Sequence, residues 1–322
     1  MLTFSAATEK HNSINKERPP SAVFFCFQLI CFIAGNGLDH SVLIFMLSSK
    51  KTVAKNFKFN YSYFIERSET MEKLLYDMIF KRKSFHIFTG TGKIAPEEIS
   101  AIEEICKKLK PLDENVRTEI RILPAGSTSC TRGQEYDILI YSEKKEGYLR
   151  NVGYIGQQLD LYLASMNIGS LWFGIGKTEE KQHNGLDYVI MFGLAKMPPE
   201  KFRKDMFKSK RKPIDEIWSG GFYEDLGNIA RFAPSACNTQ PWKVETAENE
   251  ITVYRYKKPG KRGIMPADKV AFYNRIDIGI FMLFLELCFE HGGFSFEKEL
   301  FADEHDDESE TVLNVKYYIQ PC

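Results

Sequence analysis

The segment Ala233-Pro234-Ser235-Ala236-Cys237-Asn238-Thr239-Gln240-Pro241-Trp242 carries the most information in this chain. It follows an apolar-periodic stretch, 223–232, that reads as a helix, and it leads into an alternating strand beginning Trp242-Lys243-Val244-Glu245. Pro234 stops the helix, because it lacks a backbone donor and disfavours the α region at Ala233. The small residues after it leave backbone N–H groups open, while Asn238 and Gln240 add paired amide donors and acceptors. On residue chemistry alone the segment is either a polar helix-to-strand turn or a site for a flat heterocycle edged with carbonyls and ring nitrogens.

A second run lies far upstream, at Lys81-Arg82-Lys83-Ser84-Phe85-His86-Ile87-Phe88. It closes an amphipathic helix that carries Leu74, Leu75, Met78 and Ile79 on one face, and it precedes a second helix start at Pro96-Glu97-Glu98. Clustered cations beside a hydroxyl make charge-assisted hydrogen bonds to a dianion. A basic quartet by itself is equally well a solvated surface patch.

Together the two runs resemble the flavin-dependent nitroreductase family. The first is similar to its P-S-x-x-N-x-Q-P-W signature, the second to the R-R-S-x-R-like run that binds the phosphate of flavin mononucleotide (FMN). The chain departs from that pattern at His86, where a third permanent charge is usual; a histidine titrates near neutrality, so phosphate affinity is expected to depend on pH. Further likenesses fill in the site. Gly169-Ser170-Leu171-Trp172-Phe173-Gly174 resembles the strand whose backbone packs on the flavin ring. Lys208-Ser209-Lys210-Arg211-Lys212-Pro213 resembles a K-S-R-x-P phosphate clamp, with Arg211 in the arginine's place and Lys208 or Lys210 standing in for the lysine replaced by Ser209. The resemblance therefore implies that Arg82, Lys83, Ser84, His86 and Arg211 hold the phosphate. It implies that Pro234, Ser235, Ala236, Asn238, Gln240 and the Leu171, Trp172 and Gly174 backbone line the ring and ribityl chain. No acid–base residue is nominated.

The order of elements agrees. From Met71 the chain reads helix, helix, strands near 117–123 and 136–142, a long helix over 151–168 stopped by Gly169, and strands near 171–175 and 188–195. The remainder reads helix 223–232, strands 242–246 and 251–256, helix 276–291, Gly292-Gly293, and strands 294–296 and 312–319. This is not a regular βαβ alternation, so a doubly wound fold is disfavoured in favour of an α+β sandwich with mostly antiparallel strands. Each half runs α-β-β-α-β-β. The first half (71–213) keeps the basic run but reads Lys110-Pro111-Leu112-Asp113-Glu114-Asn115 at the loop position; the second (214–322) keeps the loop but reads Trp218-Ser219-Gly220-Gly221-Phe222 where a basic run belongs. Two halves with one complete site resemble a tandem, pseudo-dimeric branch of the family, a monomer that imitates its dimer.

Composition narrows the function classes. The 43 Lys and Arg balance the 43 Asp and Glu, which argues against an electrostatic nucleic-acid binder. The seven cysteines (26, 31, 106, 130, 237, 288 and 322) form no C-x-x-C pair and read as reduced thiols of a cytoplasmic protein. Cys237 is read as a small loop spacer. Residues 1–70 read as an extension outside the fold. Their apolar runs, 22–34 and 42–47, are interrupted by Gly35 to His40 and are too short for a membrane span, and no clear cleavage site follows. Thr89-Gly90-Thr91-Gly92-Lys93 lacks the spacing of a phosphate loop. Asp303 to Glu308 reads as an acidic loop, not a metal site. The long segment 257–274 reads as a lid whose Phe272 and Tyr273 stack on aromatic substrates.

The expected activity is an FMN-dependent transfer of electrons from NADH or NADPH to a small nitroaromatic or quinone acceptor. A flavin-binding sensor without turnover, or a membrane-associated protein using its apolar leader, are the alternatives.

Overall fold

A computed structural model describes residues 70–205, 209–260, 262–303 and 309–321. The extension 1–69, Lys208 and the acidic residues 304–308 lie outside the described residues, and so do the expectations that fall on them. Helix α1 (Met71–Lys81) begins at Thr70, whose hydroxyl accepts from the Lys73 N–H at 3.3 Å, and buries Leu75, Tyr76 and Ile79. Helix α2 (Pro96–Cys106) has proline in its first turn, and the Glu98 carboxylate accepts from the Ala95 N–H at 3.0 Å.

Strands β1 (Thr118–Pro124), β2 (Tyr136–Ser142), β3 (Ile168–Trp172), the two-residue β4 (Gln182–His183) and β5 (Leu186–Lys196) form one antiparallel sheet, in the order β1-β2-β5-β3 with β4 on β5. Strands β6 (Trp218–Ser219), β7 (Trp242–Ala247), β8 (Glu250–Tyr256), β9 (Phe294–Leu300) and β10 (Thr311–Pro321) form the other, in the order β6-β7-β8-β10-β9. Only β6 and β7 run parallel among the described residues. The expected antiparallel α+β arrangement is thus present as two sheets. The short pairs β4 and β6 were not foreseen, since two residues carry no periodicity.

Two long helices, α3 (Tyr148–Ser165) and α5 (Val270–His291), pack on each other, α3 also against β2 and β3 and α5 against β8 and β9. Both are buried along nearly their whole length; α5 is accordingly apolar over most of its surface, while α3 also buries Arg150, Asn151, Gln157, Gln158 and Asp160. Their backbones touch at two glycines. A Cβ on Gly153 would lie 2.0 Å from the Ile276 carbonyl oxygen, and one on Gly279 would lie 1.9 Å from the Arg150 carbonyl oxygen. The contact is reciprocal: each glycine sits on the residue three places before the other. One apolar core, including Leu75, Ile138, Phe192, Trp242, Phe281 and Tyr317, runs through both sheets and both helices.

Some boundaries differ from expectation. Helix α2 ends at Cys106 instead of reaching Leu109, and α3 starts and stops three residues early. Gly169 is not the helix stop. Asn167, at φ 57°, turns the chain, and an asparagine tolerates that left-handed conformation. Gly169 instead lies inside β3, where a Cβ would meet Met197 at 2.5 Å and Phe85 at 2.8 Å. Helix α5 begins at Val270, so Phe272 and Tyr273 sit on its first turns and not on a free lid; the Tyr273 hydroxyl donates to the Gly174 carbonyl at 2.7 Å.

Candidate functional site

The C-terminus of α1 delivers the basic run to the edge of β3. The Phe85 N–H donates to the Ser170 carbonyl at 3.0 Å, and Ser84 bridges to Ser170 in parallel fashion. Helix α4 (Glu224–Ala230) ends at the Arg231 cap, and the signature loop follows it. Three non-glycine residues there take left-handed conformations: Cys237 at φ 50°, Asn238 at 57° and Gln240 at 50°. Such backbone strain of about 1–3 kcal/mol per residue persists only where surroundings over-determine it. Those surroundings are explicit. Ser235 Oγ accepts from the Gln240 N–H at 2.9 Å, Gln240 Oε1 accepts from the Lys212 N–H at 2.8 Å, and Asn238 Oδ1 accepts from Arg211 Nη1 at 2.9 Å. Below the loop, Asp277 on α5 accepts from the Ala236 N–H at 2.9 Å, with the Thr239 hydroxyl 3.5 Å from its other oxygen. Burial raises the Asp277 carboxyl to about 8, against the opposing pull of those two donors.

The basic run and the loop meet at a cavity of about 700 Å³, lined by Arg82, Lys83, Ser84, His86, Lys201, Phe202, Arg203, Lys204, Asp205, Ser209, Lys210, Arg211, Pro234, Ser235, Cys237 and Asn238. Its size lies within the range of small-molecule sites, roughly 300–1,000 Å³. Seven lysines and arginines face it against one carboxylate, Asp205. The cost of crowding them is visible at Arg211. Burial, with the charges of Arg82, Arg203 and Arg231, pulls its guanidinium down to about 9. Arg203 is pulled down by burial and by Arg82. Two buried polar atoms in the lining, Ser209 Oγ and Arg211 Nε, have no hydrogen-bond partner among the described residues. Unpaired donors and surplus positive charge fit an oxygen-rich dianion such as a phosphate monoester.

The candidate residues fall into three groups. Arg82, Lys83, Ser84, His86, Arg211, Pro234, Ser235 and Asn238 share this cavity, although they come from segments more than a hundred residues apart. Ala236 and Gln240 hold the loop from behind. Leu171, Trp172 and Gly174 do not line the cavity: Trp172 packs on Phe192 with centroids 4.2 Å apart and donates to Asp160 at 3.2 Å, and Gly174 lies under the Tyr273 ring. Arg82 is also not the free cation expected of it. It is almost fully buried, its Nε donates to Asp160 Oδ2 at 2.6 Å, and its Nη2 donates to Ser84 Oγ at 2.9 Å. His86 is exposed.

Reading the sequence missed Asp160 and the segment Lys201-Phe202-Arg203-Lys204. Asp160 is the one acidic residue in 148–165 and is flanked by Leu159 and Leu161, and a carboxylate between apolar neighbours is a signal for a buried cation partner. The K-F-R-K run was visible as charge, but nothing local ties it to α1, which it joins through the Arg203 N–H donating to the Lys81 carbonyl at 3.1 Å.

A mixed α/β chain of two five-stranded sheets, with a strongly cationic cavity where two distant motifs meet, is the class these features define. A family model described as "Putative TM nitroreductase" matches residues 74–288. The chain belongs to this nitroreductase family. Among similar solved structures, a "putative nitroreductase" from Thermotoga maritima is 19% identical with a TM-score of 0.49, covering 76% of this chain and 92% of that one. A nitroreductase family protein from Clostridium difficile is 12% identical with a TM-score of 0.35, covering 46% of this chain and 97% of that one. A "putative nitroreductase" in complex with FMN from Desulfovibrio desulfuricans is 16% identical with a TM-score of 0.33, covering 44% of this chain and 93% of that one. No curated protein matches the chain. Among the described residues, no helix is long and apolar enough to cross a membrane, and no group of three or more His, Cys, Asp or Glu could hold a metal ion.

Proposed function

We propose that this chain is an FMN-dependent oxidoreductase whose cofactor phosphate sits in the cavity between the α1 terminus and the 234–240 loop. The observation that carries the reading is the charge imbalance of that cavity, together with its unpaired Ser209 and Arg211 donors. When bound, FMN supplies the redox chemistry, taking a hydride from NADH or NADPH at its N5 and passing two electrons to a nitroaromatic or quinone acceptor in a ping-pong sequence. The protein's part is binding and orientation. Lys83, Ser84, His86 and Arg211 meet the phosphate, while Arg82 holds Ser84 in place from its own pairing with Asp160. Pro234, Ser235, Ala236, Asn238 and Gln240 shape the loop against the ribityl chain and ring. A cytoplasmic location accords with Cys106, Cys130, Cys237 and Cys288, all free thiols.

The same reading takes residues 71–213 and 214–322 as tandem halves of a pseudo-dimer, with 1–70 outside them. Four pairs of residues support it, each separated by 126 positions: Asn151 and Asp277, Gly153 and Gly279, Asp160 and Glu286, Trp172 and Lys298. Asn151 accepts from the Leu112 N–H at 2.7 Å as Asp277 accepts from that of Ala236; Trp172 donates to Asp160 at 3.2 Å as Lys298 donates to Glu286 at 3.0 Å. Reciprocal contacts of this kind are what a two-fold interface makes. One FMN per chain is expected, and heat-released flavin measured against protein concentration reads the ratio; a value approaching two overturns the one-site argument. The activity is tested by the absorbance spectrum of purified protein, with flavin bands at about 370 and 450 nm. Bleaching of the longer band by NADH or NADPH supports the oxidoreductase. A bound flavin that neither donor bleaches supports a flavin-binding sensor instead.

A further inference from the structure

We propose that Arg203 donates directly to the phosphate in this cavity and supplies a permanent positive charge that His86 does not. The inference rests on the FMN reading above and names a ligand which that reading does not contain. Three observations lead to it. Arg203 lines the same cavity as Ser84, His86 and Arg211, and its side chain has no hydrogen-bond partner among the described residues. Its backbone is anchored: the Arg203 N–H donates to the Lys81 carbonyl at 3.1 Å, and the preceding Phe202 is buried against Phe85 with centroids 5.1 Å apart.

The charge arithmetic gives this guanidinium a task. Arg82 spends its charge on Asp160 at 2.6 Å, and His86 is exposed and not a permanent cation. Lys83 donates to the Lys201 carbonyl at 3.3 Å and Arg211 to Asn238 and the Phe232 carbonyl, whereas Arg203 brings an uncommitted guanidinium, and arginine stays charged across the physiological range. Arg203 and Arg82 also repel each other, and a dianion between the cavity walls relieves that repulsion.

The test uses the full chain, titrated with FMN and with riboflavin by flavin fluorescence at pH 6 and pH 8. Arg203→Gln is expected to weaken FMN by about 10- to 100-fold, the equivalent of one charge-assisted contact. It should leave riboflavin, which lacks the phosphate, within about twofold; riboflavin also reports that the ring site is intact. Arg203→Lys should recover part of the loss. The proposal is overturned if wild-type protein prefers FMN to riboflavin and Arg203→Gln keeps that preference, or if Arg203→Gln weakens both flavins equally. Wild-type protein that binds neither flavin overturns the cofactor reading itself and this ligand with it.

Discussion

Asp277 is the residue whose replacement tests the loop's construction most directly. Its carboxyl is fully enclosed by α5 and the signature loop, accepts from the Ala236 N–H at 2.9 Å, and is raised by burial from 3.8 to about 8. A carboxyl whose folded pKa lies above its unfolded one costs nothing below about pH 4, where both states hold the proton. Between about pH 4 and pH 8 the unfolded state releases a proton that the folded state keeps, and stability falls by about 1.4 kcal/mol per pH unit. At pH 7 this reaches about 4 kcal/mol as a ceiling, and the penalty levels off above about pH 8. Asn at this position keeps an acceptor oxygen for Ala236 and never ionises, as Asn151 already does beneath the 112–118 loop. Asp277→Asn should therefore be more stable than wild type at neutral pH, and the advantage should grow by roughly 2–3 kcal/mol between pH 5 and pH 7.5. Urea unfolding of both proteins at those two pH values, with the slopes compared to confirm the same transition, measures it. An advantage that stays constant with pH, or a variant less stable at every pH, refutes a proton held on Asp277.

Other perturbations have equally definite outcomes. Arg82→Ala strands the buried Asp160 carboxylate and should lower stability by about 3–5 kcal/mol, read as a fall in the urea midpoint; adding Asp160→Asn should recover much of it, and equal losses in single and double variants would exclude the pairing as the cause. Gly279→Ala sets a Cβ 1.9 Å from a backbone oxygen of α3, which cannot yield as a side chain can, and should cost about 3 kcal/mol or more; a melting temperature within a degree of wild type would show that the helices do not touch there. A chain starting at Met71 should fold and bind flavin at about 1 kcal/mol below one starting at Glu69, because only the longer one keeps the Thr70 cap. Loss of flavin from the Met71 version, with the full-length chain binding normally, would place part of the site before residue 71.

The parts of this protein legible from its residues are those encoded locally. The 3.6-residue stripes of α1 and α2, the proline and small residues of the 234–240 loop, and the alternation in β7 all declare themselves within a dozen positions. The joining of Arg82 with Asn238 in one cavity was legible only through resemblance, because no local rule brings positions 156 residues apart together. What stayed hidden was decided by packing. Asp160 takes the charge of Arg82, Trp172 turns into the core beside Gly156, and Tyr273 joins a helix that the glycine-rich segment before it obscured. Asn167 replaced Gly169 as the turn because two residues of similar conformational licence stand two positions apart, and the tight contact with Phe85 and Met197 claimed the glycine.

The cavity walls come from 82–86, 201–205, 209–211 and 234–238 of one continuous polypeptide. Where such walls belong to separate molecules, mass action governs whether they meet, and the pocket comes apart as protein becomes scarce. Here the encounter is intramolecular, with an effective concentration set by the intervening chain and not by the solution. The pocket should persist undiminished at nanomolar protein.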